Sequence, residues 1–282
     1  MPGMKIIPDS ELQTQMPLME PLPPLHADAF RLSVVLPVYS ETDTVRAIVE
    51  WLRAHFESLL AEIIIVQSPR SNRESRAVCQ ELVEEDERIR LHIQQVNPGL
   101  GNAVREGLAL TRGNLVLLMD SDGEMEIETI IRMVAEMAAG QPALVVASRW
   151  GRGGGFTGYN PLKYGLNWGF QQLFRFLFWT RVHDLTYGFK LMRGELARGI
   201  VWEGTMHEIA CETTLRPIRL GLKVVDVPSK WTARVQGASK NSFLKNFRYV
   251  ALALKVLVRG VSVREGASER KATSGTAIPV AR

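Results

Sequence analysis

Two carboxylates one residue apart, Asp120 and Asp122, follow directly on the apolar run Leu115 to Met119. An extended strand sends neighbouring side chains to opposite faces, but a turn beginning at Asp120 can bring both carboxylates to the open end of a sheet. Close carboxylates repel unless a cation sits between them. Ligation by one or two carboxylates, shared with substrate phosphates, is how Mg²⁺ or Mn²⁺ is normally held. Glu124 stands where it could add a third oxygen or bind a metal water. The plainer alternative is that Asp120 or Asp122 caps a helix beginning near Glu126, and spacing alone leaves both readings open.

Other motifs are weaker. Gly99-Leu-Gly101 invites a dinucleotide reading, but Val104 occupies the third glycine position and the motif follows the wrong strand, so a glycine-permitted turn is the better account. Gly151 to Gly155 lacks the Lys-Ser/Thr of a phosphate loop. Gly123 comes too early for a calcium loop, with Ile131 where its glutamate should fall. His207 and Cys211 lie one helical turn apart without a third ligand, which favours a core contact.

The elements that must position these residues alternate. Leu32 to Val38 reads as a strand, followed by apolar residues at helical spacing from Val45 to Leu59. Ile63 to Val66, Ile89 to Ile93, Leu115 to Met119 and Ala143 to Ala147 are further strands. Helices are expected around Cys79 and Leu82, over Ala103 to Leu110 and over Ile127 to Met137. Continuous apolar strands with crossover helices predict an α/β doubly wound, mostly parallel sheet over residues 30–150, with helices on both faces. Ligands bind beyond the carboxyl ends of such strands, which singles out the loops after Val38, Val66, Val96, Met119 and Ala147.

The 282 residues carry 34 Lys+Arg against 30 Asp+Glu and are 46% hydrophobic, enough for a sizeable core, which excludes wholesale disorder. Cys79 and Cys211 form neither a disulfide framework nor a zinc motif, and a reducing, cytoplasmic compartment is expected. Six of the fourteen prolines fall within residues 1–29, read as a flexible arm without a secretory signal. Residues 241–260 are read as a basic amphipathic helix and 261–282 as a flexible tail. No stretch is long and apolar enough to span a bilayer.

The order of motifs resembles family 2 glycosyltransferases of the GT-A fold, closest to the group that includes dolichol-phosphate mannose synthase and polyprenyl-phosphate glycosyltransferases. It runs from about Leu32 to Lys240 through VVLPVYSE (34–41), NPGLGNAVREGL (97–108), LLMDSDGEME (117–126), ASRW (147–150), HDLTYGFKLMR (183–193) and LGLKVVDVPSKWTARVQGASK (220–240). The resemblance implies one catalytic domain over 30–240, with a nucleotide-sugar half (30–150) and an acceptor half (151–240). It implies donor contacts at Pro37, Tyr39, Glu41, Gln67, Gly101, Asp120 and Ser121. A divalent metal, Mg²⁺ or Mn²⁺, falls to Asp120, Asp122 and Glu124, and phosphate or acceptor contacts to Arg149, Arg234, Ser239 and Lys240. Asp120, Asp122, Asp184 and Arg234 are the implied catalytic set. Gln67-Ser68 departs from the family's Asp-Asp, and Glu124 from its usual Gln.

Between Arg216 and Arg264 eleven Lys/Arg face a single acid, Asp226, a local +10 in a chain of +4. This is either a solvated face or a surface for a phosphate-bearing acceptor; no nucleic-acid reader motif accompanies it. Ten of 21 aromatic residues lie between Tyr159 and Phe189. Leu166, Phe170, Leu173, Phe174 and Leu177 form a stripe expected in the core. Trp168, Phe176 and Trp179, beside Lys163, Arg175 and Arg181, suit the headgroup layer of a membrane, with the protein peripheral to it.

The expected reaction is inverting transfer of a sugar from a GDP- or UDP-sugar to a polyprenyl phosphate, whose dianion needs no base. A hydroxyl acceptor would need one, from Asp184, Glu208 or Glu212. A non-catalytic nucleotide-binding protein of the same fold is the third alternative.

Overall fold

A computed structural model of the chain describes His26 and residues 29–233 and 246–264. The first half alternates as the apolar periodicity predicts: β1 (Leu32–Val38), α1 (Asp43–Phe56), β2 (Leu60–Gln67), α2 (Arg73–Glu85), β3 (Ile89–Ile93), α3 (Leu100–Leu110), β4 (Leu115–Leu118), α4 (Thr129–Gly140) and β5 (Leu144–Ser148). β1, β4 and β5 are buried along their whole length because helices cover both faces of the sheet. α1 turns Val45, Ile48, Val49, Leu52 and Phe56 inward, the spacing of one helical face. Each such side chain contributes roughly 1.5–3 kcal/mol on burial.

The second half adds β6 (Gly155–Thr157), α5 (Pro161–Leu177), β7 (Lys190–Arg193), α6 (Gly194–Gly199), α7 (Ile209–Arg219), β8 (Val224–Pro228), β9 (Lys230–Thr232) and α8 (Asn246–Arg259). The seven-stranded sheet runs β3-β2-β1-β4-β7-β5-β8, with β6 and β9 forming a separate pair. β7 is antiparallel to both neighbours and lies between β4 and β5. The sheet is therefore not completed within residues 30–150, since β5 reaches β4 only through β7, a strand from residues 151–240. Periodicity along the chain does not reveal that insertion, because strand order is set by contacts remote in sequence.

One core lies on each face of the sheet, and a third joins α5, α7 and α8 around Phe174, Cys211, Leu215 and Val256. On α5 the stripe is narrower than expected: Phe174 is buried and Phe170 and Leu177 pack partly, but Leu166 and Leu173 are exposed. The inner face instead carries Gln171, which bonds to the chain beneath it. Residues 261–264 also depart from a free tail. Val263 bridges to Ile200, Val201 N donates to Ser262 O, and Arg264 N donates to Gly199 O. Both cysteines are free and buried. Among the described residues no helix is long and apolar enough to cross a membrane.

Candidate active site

The chain leaving β4 is held by β1. Met119 N donates to Val35 O (3.4 Å) and the Ser121 hydroxyl to Pro37 O (2.7 Å). Ser121 is buried in doing so, and Asp120 and Asp122 on either side of it are half-buried at the carboxyl end of the parallel strands. Gly123, at φ +76°, then turns the chain in a region that side chains disfavour. The Asp122 carboxylate accepts from Glu124 N at 3.1 Å. Neither aspartate caps the following helix: α4 begins after Glu128, with no side-chain cap bond.

Asp120 faces Gly188. A Cβ there would lie 3.7 and 3.9 Å from the two Asp120 oxygens, in ordinary contact with the carboxylate. Two hard oxygen donors at a strand tip are the ligand type that Mg²⁺ or Mn²⁺ takes, completed by water and a diphosphate. Glu124 does not join them as a third ligand. Its Oε2 accepts from the Trp231 indole (3.0 Å), its carbonyl from Thr232 N (3.0 Å), and Met125 bridges to Trp231. Among the described residues no three His, Cys, Asp or Glu side chains gather into a metal cage, and this includes His207 and Cys211.

The residues expected to contact the donor divide. Tyr39 is about half exposed beside the strand tip, and Glu41 Oε2 accepts from Tyr39 N (2.7 Å) and Ser40 N (2.9 Å), which shapes this loop. Pro37 is buried and acts through its carbonyl. Gln67 is buried and its amide donates to Ser75 O (3.3 Å) at the start of α2, so it turns away from the strand tips. Ser68 and Asn97 stand there instead, joined at 3.1 Å. Gly101 has a packing role: a Cβ would lie 2.5 Å from Gly204 O and 2.7 Å from Met206 O, which lets α3 meet the 204–206 loop backbone to backbone.

Among the residues expected to serve the acceptor, Asp184 is fully buried and its two oxygens are saturated. Oδ2 accepts from Arg149 Nε (2.7 Å) and N (3.1 Å); Oδ1 accepts from Arg149 Nη2 (3.0 Å), Thr186 N (3.2 Å) and Gln171 Nε2 (3.4 Å). Asp184 therefore orients Arg149 and has no lone pair directed at a substrate. Arg149 in turn is not a free fork for phosphate, since Nε and Nη2 are committed and its guanidinium lies 4.3 Å above the Tyr187 ring. Burial acts to lower the Arg149 pKa, but the Asp184 charge outweighs it and the net direction is upward. Glu208 binds Thr205 N and Met206 N (3.1 Å each). Glu212, fully buried, binds Gly204 N (2.7 Å) and Arg216 Nε (2.5 Å). Arg234, Ser239 and Lys240 lie outside the described residues.

Sequence reasoning missed Trp231, Gln171 and Tyr187. Gln171 carried a signal, an amide on the buried face of an amphipathic helix. Tyr187 and Trp231 carried none beyond their place in the quoted motifs.

A sequence model of the family described as "Glycosyl transferase family 2" matches residues 33–200. The polyprenol monophosphomannose synthase of Mycolicibacterium smegmatis is 30% identical over 75% of this chain and 81% of its own length. A dolichyl-phosphate β-glucosyltransferase of Trichomonas vaginalis is 28% identical over 71% of this chain and 65% of its own. Among solved structures, glucosyl-3-phosphoglycerate synthase from Mycobacterium tuberculosis, in complex with Mn²⁺, UDP and glucosyl-3-phosphoglycerate, superposes with a TM-score of 0.61 at 20% identity, covering 82% of this chain and 81% of that one; this likeness establishes the shared fold. Together with the strand-tip carboxylates, these matches show that the chain belongs to glycosyl transferase family 2.

Proposed function

We propose that the chain transfers a sugar from a nucleotide diphosphate sugar to a polyprenyl phosphate. One observation carries the choice of acceptor. Of the carboxylates considered as a base for a hydroxyl, Asp184 and Glu212 are buried with both oxygens occupied by hydrogen bonds, and Glu208 is buried with its Oε1 committed to Thr205 N and Met206 N. A phosphate monoester needs no base, because its second pKa is about 6 and the dianion is present near pH 7. Its oxygen attacks the anomeric carbon in line, the bond to the diphosphate breaks, and the configuration inverts. The residues for a divalent metal are Asp120 and Asp122, and when bound it would offset charge growing on the leaving diphosphate. Ser121 holds the turn that presents the two aspartates, and Tyr39 and Glu41 border the donor. Arg149, held in place by Asp184, keeps its guanidinium fixed on the acceptor side rather than free to rotate.

An exposed apolar surface supports a lipid acceptor. Leu162, Leu173, Phe176 and Trp179 of the α5 region are more than half exposed, as are Phe247 and Val258 of α8. Phe170 and Tyr249 join the two helices at 6.3 Å. Lys163, Arg175, Arg181 and Arg248 lie among these side chains in sequence, the composition of a helix pair resting in a headgroup layer. The relatives named for polyprenol and dolichyl phosphates point the same way.

The test incubates the full chain with Mn²⁺ and labelled UDP- and GDP-sugars, with and without polyprenyl phosphate. Labelled lipid is expected, with loss of turnover in EDTA. Product formed only on a soluble hydroxyl acceptor overturns the lipid reading, and no sedimentation with anionic liposomes at low salt overturns the membrane surface.

A further inference from the structure

At the opposite end of the sheet from the aspartates, where β1 to β4 begin, lies a cavity of about 260 Å³. Arg31, Arg88, Arg90 and Arg112 line it, with Glu62, Glu87 and the backbone of Gly113. Its floor is rigid. Arg31 and Arg112 stand at the entries of β1 and β4, which are paired neighbours (Leu32 with Leu115), and Arg90 lies within β3. Leu115 N donates to Arg31 O and Gly113 N to the Ser33 hydroxyl.

The charges in this cavity are only partly balanced. Glu62 is buried and fully used: Oε1 accepts from Ser33 Oγ (2.7 Å) and Arg112 N (2.6 Å), and Oε2 from Arg90 Nη1 (2.6 Å). Arg88 is held by Asp86 (2.7 Å) and Glu57 (3.0 Å). The Arg31 and Arg112 guanidinium groups have no partner among the described residues, and Glu87 is the one remaining acid on the rim. Two unpaired planar forks, backed by two more fixed in place, match the geometry of a phosphate group rather than a carboxylate-lined cation site. The volume is below the range of sites that enclose drug-sized ligands, which sets the occupant as inorganic phosphate, pyrophosphate or a small phosphomonoester.

We propose that this cavity is a binding site for a small phosphate-bearing anion, separate from the transfer site, with Arg31 and Arg112 as its principal donors. Bound there, the anion ties the starts of β1 and β4 to β3.

Equilibrium dialysis of the full chain at low ionic strength, with radiolabelled inorganic phosphate and in parallel pyrophosphate, tests it. Saturable binding with a dissociation constant on the order of 1 mM or tighter is expected. Arg31→Ala and Arg112→Ala should each weaken it about tenfold, the scale of one charged hydrogen-bond donor. Asp122→Ala should leave it unchanged, because that residue lies at the other end of the strands. Arg31 has no side-chain partner to lose, so its variant keeps the experiment decisive should Arg112→Ala not fold. Absence of saturable binding up to about 20 mM, or binding left unchanged by both Arg31→Ala and Arg112→Ala, overturns the proposal, the second outcome by placing the anion elsewhere on the chain. Transfer activity is not read, so failure here is independent of the function proposed above.

Discussion

The two halves of the molecule are held together by different forces. Seven ionisable side chains are buried among the described residues: Glu62 in the first half, and Asp184, Lys190, Arg193, Glu208, Glu212 and Arg216 in the second. The first half is a stack of apolar strands and helix faces whose stability follows buried area and tolerates conservative change. The second is fixed by ion pairs and charged hydrogen bonds, which add little net stability over a hydrophobic filling but penalise any broken pair heavily. Apolar packing supports a rigid sheet from which the strand-tip aspartates project. Buried charge positions individual groups, such as the Arg149 guanidinium, that a greasy core would leave free to rotate.

The sharpest way to break that contrast is Asp184→Ala. It strands Arg149 in a site with little water, and a loss of about 3–5 kcal/mol in urea unfolding is expected. Arg149→Met combined with Asp184→Leu should recover most of that loss without recovering transfer. If Asp184→Ala costs under about 1 kcal/mol, the pair is not structural. Asp122→Ala should do the reverse, lowering kcat/KM roughly 10²–10³-fold in the transfer assay while leaving the thermal midpoint nearly unchanged, because the half-buried Asp122 is not part of the apolar core.

The contrast also explains what could be read in advance. β1 and β3 match their expected bounds, and β2, β4 and β5 were placed within a few residues, because apolar runs report burial directly. Asp120 and Asp122 were legible because they follow such a run. β7 and β8 were not, since Lys190 opens the first and Asp226 interrupts the second, and a charged residue in a strand ordinarily signals solvent. Lys190 is wholly buried, bonded to Ala210 O and to the Thr213 hydroxyl (2.5 Å), a placement no local pattern announces. The roles of Asp184 and Arg149 depended on which partner each met, and that partner lies 35 residues away.

Lys190 supplies a pH test of the same distinction. Burial pushes its pKa down to about 7. The folded group is then neutral where an unfolded chain still carries the proton, so between about pH 7 and the ordinary lysine range, about 10.4, the unfolded state binds more protons and stability rises with pH. Below pH 7 both states are protonated and the penalty stands at its full size. Unfolding free energy should increase by about 2 kcal/mol from pH 7 to 9, and Lys190→Met should flatten that part of the profile. An unchanged profile in the variant would assign the slope to other groups.

The smallest effect is expected where the two halves touch. Trp231 belongs to the second half, yet its indole N–H holds Glu124 beside the aspartates, and its ring meets Tyr159 edge-on at 5.4 Å. Trp231→Phe keeps most of the ring contact and removes one donor to a partly buried carboxylate, a loss of about 1 kcal/mol. Its consequence for activity is more informative than its size. A Glu124 released from the indole can swing toward Asp120 and Asp122 and add its charge to theirs, so the concentration of Mn²⁺ giving half-maximal transfer should fall a few-fold while kcat changes little. If it rises instead, the indole is serving to hold Glu124 in a position that already helps the metal, and the second half contributes to the first half's chemistry by attraction rather than by restraint.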